Sequence, residues 1–269
     1  MEDFTEAGLR NELRTKWLGQ GDRLKFYKII DSTNEEAKRL FEKEGRGGIL
    51  FAADSQSAGK GRRGRVWQSS LSTTIAMSYL LTPEFSADRA SMLTLVMALA
   101  AAKGIKKACG LETKIKWPND IVINGKKISG ILTELSAEKN EIRYCIIGTG
   151  INVSVTDFPS EIKETATSLY LESGKRFSRS EITARIAEAF EEYYEGFLKN
   201  KDLSDFKDEY NSICVNVGRR VRVLDPKGEY EALAKGINDE GELLVERDDG
   251  SEEAVYAGEV SVRGIYGYT

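Results

Sequence analysis

The sequence contains no histidine among its 269 residues. This absence excludes a Ser-His-Asp triad, a histidine general base and a histidine-ligated zinc site, so any catalysis has to use lysine, arginine, carboxylate, amide and backbone groups. Cysteine is also scarce, with three scattered residues. An odd, scattered set indicates neither a disulfide framework nor a zinc ribbon, and it suits a reducing compartment.

Long apolar runs and an excess of positive charge are missing as well. The longest apolar run, residues 92–102, is interrupted by Thr94 and is too short to cross a bilayer. The N-terminal segment is charged throughout and has no apolar signal core. The net charge is -4, from 39 basic and 43 acidic residues, whereas dedicated nucleic-acid-binding proteins are usually basic. We therefore expect a cytoplasmic protein that binds neither membrane nor DNA.

The chain is predicted to form two domains. Residues 1–216 alternate between apolar strand and amphipathic helix patterns and begin with a lead-in helix in residues 1–21. From residue 217 onward, short strand candidates separated by polar turns are typical of a small β-barrel. Charge supports the boundary, because residues 217–269 carry 7 basic and 12 acidic side chains, whereas the remainder carries 32 and 31.

Cap and turn signals locate the main elements. Helices are predicted after Ser32 up to Gly45, over 88–109 before Gly110, from the capping box at Ser178 to about residue 198, and over 203–210. Asn124-Gly125 indicates a hairpin whose return strand reaches residue 134. The C-terminal strands are predicted at 219–224, 229–234, 242–247, 252–256 and 259–265.

A basic, glycine-rich loop is the first candidate for chemistry. Four cations and three glycines lie within residues 59–65, and Val66 and Trp67 follow. Glycine allows the backbone to wrap closely around a ligand, and backbone N–H groups with arginine forks match phosphate oxygens. A solvated loop and a nucleic-acid patch are the alternatives. The apolar strands on either side indicate a tight connection rather than an open helical face.

A polar corner is the second candidate. Lys116-Trp117-Pro118-Asn119-Asp120 ends one predicted strand and begins the hairpin, whose return strand carries Lys127. A lysine, an amide and a carboxylate at one corner can hold a nucleotide and its Mg²⁺. The alternative is a polar hairpin with an ion pair. Two shorter segments carry little information by themselves. A helix N-cap is indicated by Ser32-Thr33-Asn34, and a close packing turn is indicated by Gly148-Thr149-Gly150.

Taken together, these segments resemble biotin protein ligases. The resemblance rests on residues 31–34, 56–67, 116–120, 127–131 and 148–152, in the order and spacing of that family, and it extends over residues 22–269. It implies an α+β fold in which a mixed β-sheet is flanked by helices, as in the core of class II aminoacyl-tRNA synthetases. A small C-terminal SH3-like β-barrel is implied to follow.

The resemblance also implies an ATP-dependent, two-step ligase. Biotin attacks the α-phosphate of ATP to give biotinyl-5′-AMP and pyrophosphate, and a lysine of a biotin carboxyl carrier domain then displaces AMP. The cofactors are biotin as substrate, ATP and Mg²⁺, and the partner is a biotin-dependent carboxylase whose identity stays open. The short lead-in implies a single-function ligase without the N-terminal DNA-binding domain of dual-function relatives. Because relatives often dimerise through a sheet edge, a homodimer is also expected.

Individual roles follow from the same resemblance. The residues implied to bind biotin are Ser32, Thr33, Asn34, Gln56, Lys60, Gly61, Arg62, Lys127 and Gly130. Those implied to bind ATP are Arg63, Arg65, Trp67, Lys116, Asn119, Asp120 and Asn152. Arg62, Lys127 and Lys116 are implied to be catalytic, and Asp120 to place Mg²⁺. Many relatives carry arginine where this chain has Lys60, and some carry glutamine at Glu35, to which no role is assigned.

Three other functions stay open at this point. A lipoate–protein ligase or octanoyltransferase of the same superfamily would acylate a carrier lysine with a different acid. A nucleic-acid-binding protein would use the basic loop and the small barrel, and its affinity would fall steeply with salt. A degenerate ligase would bind biotin without activating it.

Overall fold

The computed structural model describes residues 4–225, 228–257, 261–264 and 268–269. Its centre is a seven-stranded mixed sheet with the strand order β1-β2-β3-β7-β6-β5-β4. The first two strands pair in parallel, and every other pair in the sheet is antiparallel. The strands are β1 (Leu24–Ile30), β2 (Ile49–Gln56), β3 (Thr74–Leu81), β4 (Lys114–Lys116), β5 (Asp120–Ile123), β6 (Lys126–Glu138) and β7 (Glu141–Asn152).

Helices cover both faces of this sheet, and alternate strand residues serve the two faces. Ile49 and Phe51 of β2 pack with Phe41 in a cluster under one helix, whereas Leu50 and Ala52 belong to the larger cluster on the other face. Burial on both faces explains why β2 is almost entirely apolar. The helices are α1 (Glu6–Glu12), α2 (Thr33–Glu44), α3 (Leu93–Cys109), α4 (Leu169–Ser173), α5 (Arg179–Asn200) and α6 (Lys207–Ile213).

A second, five-stranded antiparallel sheet follows α6, in the order β11-β10-β9-β8-β12. Its strands are β8 (Arg220–Asp225), β9 (Gly228–Ile237), β10 (Leu243–Glu246), β11 (Glu252–Val255) and β12 (Ser261–Gly264). The expected fold class, a mixed sheet flanked by helices with a small C-terminal β-structure, is confirmed. The domain boundary between 216 and 217 stays a prediction. Two predicted elements lie partly outside the described residues. These are the turn at 225–228, of which 226–227 are not described, and the strand at 259–265, of which 259–260 and 265 are not described.

The prediction of one helix through the first 20 residues was wrong. The helix α1 ends at Glu12, and the N–H groups of Lys16, Trp17 and Leu18 instead donate to the Glu191 carboxylate of α5, at 2.6, 2.8 and 3.1 Å. An acceptor on another helix satisfies these donors, so the chain does not need to continue as a helix here. Phe4, Leu9, Leu13 and Leu18 are nevertheless buried, and the lead-in therefore docks on the core.

Smaller differences have similar causes. Ser178 caps α5 as predicted, by accepting from the N–H of Glu181 at 3.2 Å. Ser32 is the N-cap residue of α2, but within the described chain its side chain makes no capping hydrogen bond. The predicted helix 203–210 is observed at Lys207–Ile213, and β6 extends to Glu138. Across the part of the chain that is described, no helix combines the length and hydropathy needed to cross a bilayer.

A buried ion pair joins α5 to the sheet. Arg179 donates to Asp54 Oδ1 at 2.5 Å and to the carbonyl of Thr74 at 3.0 Å, and the two charged side chains are 4% and 0% exposed. The N–H of Ser72 also donates to Asp54, at 2.8 Å. Removing one partner of such a pair leaves the other charge buried and incompletely compensated.

We therefore expect Arg179→Met to lower the free energy of unfolding by about 3–5 kcal/mol. Urea unfolding followed by circular dichroism measures the loss. Lys235→Met is the matched control, because it removes an exposed ion pair with Glu246 at 2.9 Å, and it should leave stability almost unchanged. Equal stability of the two variants would contradict this account of the core.

Candidate active site

A cleft with about 480 Å³ of empty space lies beside the N-terminus of α2, between β6, β7 and the basic loop (residues 59–67). It brings together every residue that the sequence predicts to bind biotin, and also Trp67 and Asn119 from the predicted ATP set. Its remaining wall is formed by Met77, Ile131, Leu132, Gly148, Thr149 and Gly150. The cleft therefore combines an apolar wall with amide, hydroxyl and cationic groups.

One end of the cleft is lined by neutral polar side chains. Gln56 Oε1 accepts from the N–H of Thr33 at 2.7 Å and from its hydroxyl at 3.0 Å. Ser78 Oγ lies 2.7 Å from Thr33 Oγ1 and 2.6 Å from Asn34 Oδ1. A hydroxyl has one proton, so Ser78 donates to one of these two acceptors at a time. This end can therefore rearrange its donors and acceptors around a neutral polar ligand.

Two glycines of β7 make room for the cleft's side chains. A Cβ atom at Gly148 would lie 2.3 Å from Asn34 Oδ1, and one at Gly150 would lie 2.2 Å from Cε2 of Trp67. Both distances are too short for atoms that are not bonded, so the amide and the indole can rest on the sheet only where β7 has no side chains. Gly130 of β6 similarly makes room for Lys127, because a Cβ atom at this glycine would lie 2.8 Å from Lys127 Nζ.

The basic loop folds back on itself as a tight turn. The N–H of Gly61 donates to the carbonyl of Arg65 at 2.7 Å, and the N–H of Trp67 donates to the carbonyl of Gly59 at 2.9 Å. Arg63 takes a left-handed conformation with φ 57°. The turn places Lys60 and Arg62 in the cleft wall, whereas the side chains of Arg63 and Arg65 are exposed outside it.

Arg62 is the most constrained cation of this loop. Its guanidinium donates to Asn119 Oδ1 at 3.0 Å and to the backbone carbonyl of Ala257. Burial lowers the pKa of Arg62, although an arginine keeps its charge at any physiological pH. These two neutral acceptors orient the guanidinium at the wall of the cleft.

Lys127 faces the cleft from β6 and is paired with a buried carboxylate. Its ammonium lies 2.5 Å from Asp120 Oδ1, and the hydroxyl of Tyr268 donates to Asp120 Oδ2 at 2.5 Å. Burial alone would raise the pKa of Asp120, but the ammonium charges of Lys127 and Lys116 outweigh it and hold that pKa below its usual value. Asp120 is therefore ionised and holds two lysines close together.

Lys116 lies behind this pair and is 5% exposed. Its ammonium donates to the carbonyl of Val262 at 3.0 Å and lies 4.6 Å from the centre of the Tyr268 ring. Burial lowers the pKa of Lys116 to about 8, despite the opposing charge of Asp120. Lys116 is therefore a predicted catalytic group whose charge changes near physiological pH.

Five predicted ATP-binding residues do not line the cleft, and they are Arg63, Arg65, Lys116, Asp120 and Asn152. Asp120 contacts Lys127 of the cleft, and Lys116 lies behind that pair. Asn152 is 7% exposed and donates to the carbonyl of Thr167 at 3.1 Å, so it holds the segment after β7. Their contacts with a nucleotide stay predictions.

Sequence reasoning assigned no role to several residues of the site. Leu132 and Glu134 share a face of β6 with Gly130, so strand alternation could have identified them. Ser78 belongs to an apolar strand and carries no motif. Tyr268 lies 148 residues from Asp120 in sequence, and no local signal connects the two.

These donors do not fit a resident Mg²⁺ site. Across the described ranges, no group of three or more histidine, cysteine, aspartate or glutamate side chains is placed to hold a metal. Asp120 is a single carboxylate between two ammonium groups, and Lys127 and Tyr268 engage its oxygens. Mg²⁺ at nucleotide sites is held by one or two carboxylates together with substrate phosphates. Any Mg²⁺ here would therefore arrive as part of a nucleotide substrate.

Comparison with protein families gives two matches. Residues 26–152 match the family model described as "Biotin/lipoate A/B protein ligase family", and residues 217–263 match "Biotin protein ligase C terminal domain". The first segment contains β2 to β7, most of β1 and all residues that line the cleft, and the second contains β8 to β11 and most of β12.

Individual relatives match over most of their length. The chain is 37% identical to the Bifunctional ligase/repressor BirA of Bacillus subtilis, with 96% of this chain and 79% of that protein covered. It is 30% identical to the Biotin–[acetyl-CoA-carboxylase] ligase of Paracoccus denitrificans, with 87% and 98% covered. A structure of the biotin protein ligase from Aquifex aeolicus in complex with biotin and ATP superposes with a TM-score of 0.78 at 33% identity, and covers 90% of this chain and 98% of that one.

The glycine contacts lead to a structural prediction. Gly150→Ala should displace the indole of Trp67, because the added methyl group would overlap it, and this should change the tryptophan fluorescence and its quenching by acrylamide. Gly148→Ala is the matched control on the same strand, because it displaces the Asn34 amide and leaves the indole in place. Identical fluorescence changes in the two variants would show that Trp67 does not rest on Gly150.

Proposed function

This chain belongs to the biotin protein ligase family, and on that premise we propose that it joins biotin to a lysine of a carrier protein through biotinyl-5′-AMP. ATP supplies the adenylyl group, and pyrophosphate and then AMP are released. Among the relatives, the protein of Paracoccus denitrificans is named for ligation to acetyl-CoA carboxylase. A biotin carboxyl carrier domain is accordingly the acceptor that we propose.

The polarity of the cleft is the observation that carries this proposal. Its neutral end, formed by Thr33, Asn34 and Gln56, suits an uncharged ureido ring that both donates and accepts hydrogen bonds. The cations Arg62 and Lys127 lie at the other end, where a carboxylate and a phosphate would meet. The apolar wall between the two ends suits an aliphatic chain.

The first step needs charge compensation rather than a proton shuttle. A carboxylate oxygen of biotin attacks the α-phosphorus of ATP. The bond between that phosphorus and the oxygen that bridges it to the β-phosphate breaks, and pyrophosphate leaves with this oxygen. Arg62 and Lys127 would neutralise the oxygens at the junction of carboxylate and phosphate, which is where negative charge gathers in the transition state. No histidine is required for this step, in agreement with the sequence.

The second step uses the energy of the mixed anhydride. The uncharged amine of the acceptor lysine attacks the acyl carbon, and AMP leaves with the electrons of the broken C–O bond. The enzyme's contribution is to hold the anhydride, exclude water and orient the amine. The three cysteines are free thiols, which supports the cytoplasm as the compartment for this reaction.

Isotope exchange between ATP and pyrophosphate tests the proposal directly. We expect exchange with biotin and none with lipoate or without an acid. Lys127→Met should reduce the rate by about 10²–10³-fold, because a donor to the developing charge is lost. Lys103→Met, which breaks an exposed pair with Glu192, is the control and should keep the full rate.

Each other outcome has a definite meaning. Exchange with lipoate alone would assign the chain to the lipoate branch of the matched family. Folded protein that gives no exchange with either acid would contradict adenylation altogether. Transfer of biotin to a purified carrier domain, detected with streptavidin, then tests the second step.

The pKa of Lys116 predicts a pH dependence. Because burial lowers that pKa to about 8, the ammonium loses its proton and its charge as the pH rises through 8. The KM for ATP should therefore rise above pH 8, by up to about tenfold per pH unit, which is the limit for loss of one proton. Lys116→Arg keeps its charge and should remove the rise. If the KM for ATP changed with pH in the same way in the wild type and in Lys116→Arg, the charge of Lys116 would have no effect on ATP binding.

A further inference from the structure

Lys60 does not extend into the cleft as an isolated charge. Its ammonium lies 2.5 Å from Glu35 Oε1, in the first turn of α2. The two side chains are 50% and 29% exposed, so the pair lies at the rim of the cleft. The contact joins the basic loop to the helix that carries Thr33 and Asn34.

The contact continues as a chain of alternating charges. Glu35 Oε1 also accepts from Lys38 at 2.9 Å, and Lys38 donates to Glu134 Oε1 at 2.7 Å. The other oxygen of Glu134 accepts from Asn34 Nδ2 at 2.7 Å. Four polar contacts therefore lead from Lys60 to the amide of Asn34.

We propose that Lys60 and Glu35 form an ion-pair latch that keeps the basic loop closed over the cleft, and that Lys38 and Glu134 couple this latch to Asn34. The inference rests on the proposed function, since the occupant to be retained is the acyl-adenylate. Lys60 and Glu35 are positioning residues in this account, and the cations that face the phosphate are Arg62 and Lys127.

Electrostatics explain why such a latch is needed. The loop carries Lys60, Arg62, Arg63 and Arg65 within six residues, so its charges repel one another. Glu35 offsets one of these charges and anchors the loop to α2, in addition to the contacts of Arg62 with Asn119 and Ala257. Loss of the Lys60 contact would free the side of the loop that faces α2.

The chemistry gives the latch a consequence that can be measured. An acyl-adenylate that escapes into water is exposed to hydrolysis and to unspecific amines, and is lost to the intended acceptor. Its retention time before an acceptor arrives therefore depends on how long the loop stays closed. Asn34 is coupled to the same ion pairs, so opening the latch also disturbs the neutral end of the cleft.

A double-mutant cycle tests the latch. Protein is loaded with biotin and ATP and desalted, and the bound biotinyl-AMP is followed over time without an acceptor. Lys60→Met and Glu35→Gln should each shorten its lifetime by about two- to fivefold, as expected for a partly exposed ion pair. The double variant should lose no more than either single variant. Lys60→Arg, which keeps the charge, should retain most of the lifetime.

Other results would overturn the latch. If Lys60 bound the phosphate directly, Lys60→Met would shorten the lifetime and Glu35→Gln would not. Independent, multiplying effects of the two substitutions would also reject the coupling. Raised salt should shorten the lifetime in the wild-type protein more than in Glu35→Gln, because screening acts on the ion pair. Lys103→Met is again the control and should match the wild type.

Limited proteolysis separates the latch from the ligase activity. Trypsin cleaves after lysine and arginine, and Glu35→Gln changes no cleavage site in the basic loop. This variant, without ligand, should therefore be cut after Arg63 or Arg65 about two- to fivefold faster than the wild type. Equal cutting rates would overturn the latch. Faster cutting in a protein that forms no adenylate would support the latch and reject the proposed function instead.

Discussion

The site depends on holding several positive charges together before any anion is bound. Arg62 and Lys127 line one corner of the cleft and Lys116 is buried behind it. Their mutual repulsion is offset by Asp120, which contacts Lys127 directly and stays ionised in spite of its burial. Without that carboxylate, the repulsion between these cations would be uncompensated. The cleft is therefore prepared for phosphate by an internal anion, and an incoming ligand has to compete with that anion for Lys127.

The shape of the cleft comes from a different constraint. The central strand β7 is paired on both sides and cannot move aside, so a side chain can lie flat on it only where the strand has none. Gly148 and Gly150 provide two such places on one face, and Asn34 and Trp67 occupy them. From the sequence alone, the glycine pair indicates only close packing. In the fold, Gly148 makes room for the Asn34 amide at the neutral end of the cleft, and Gly150 makes room for the Trp67 indole further along the strand.

The sequence predicts the elements well wherever the determinant is local. The turn at Asn124-Gly125, the left-handed caps Gly45 and Gly110 and the capping box at Ser178 all lie where they were predicted. The lead-in helix was predicted too long because its last N–H groups bind Glu191, which is distant in sequence and carries no signal of this contact. The residues predicted to bind biotin line one cleft because the family motifs encode them together, and their contacts with biotin stay a prediction. Glu35 and Tyr268 instead make contacts with partners that only the folded chain brings near.

The C-terminal segment shows why such long-range partners matter for the chemistry. Three groups of the corner are held by residues after position 250: Arg62 by the carbonyl of Ala257, Lys116 by that of Val262 and Asp120 by the hydroxyl of Tyr268. Neutral acceptors orient the two cations without cancelling their charge, whereas the tyrosine hydroxyl stabilises the one anion. The C-terminal segment therefore adjusts the electrostatics of a cleft formed by the first sheet, and the cations would lose these acceptors if that segment moved away.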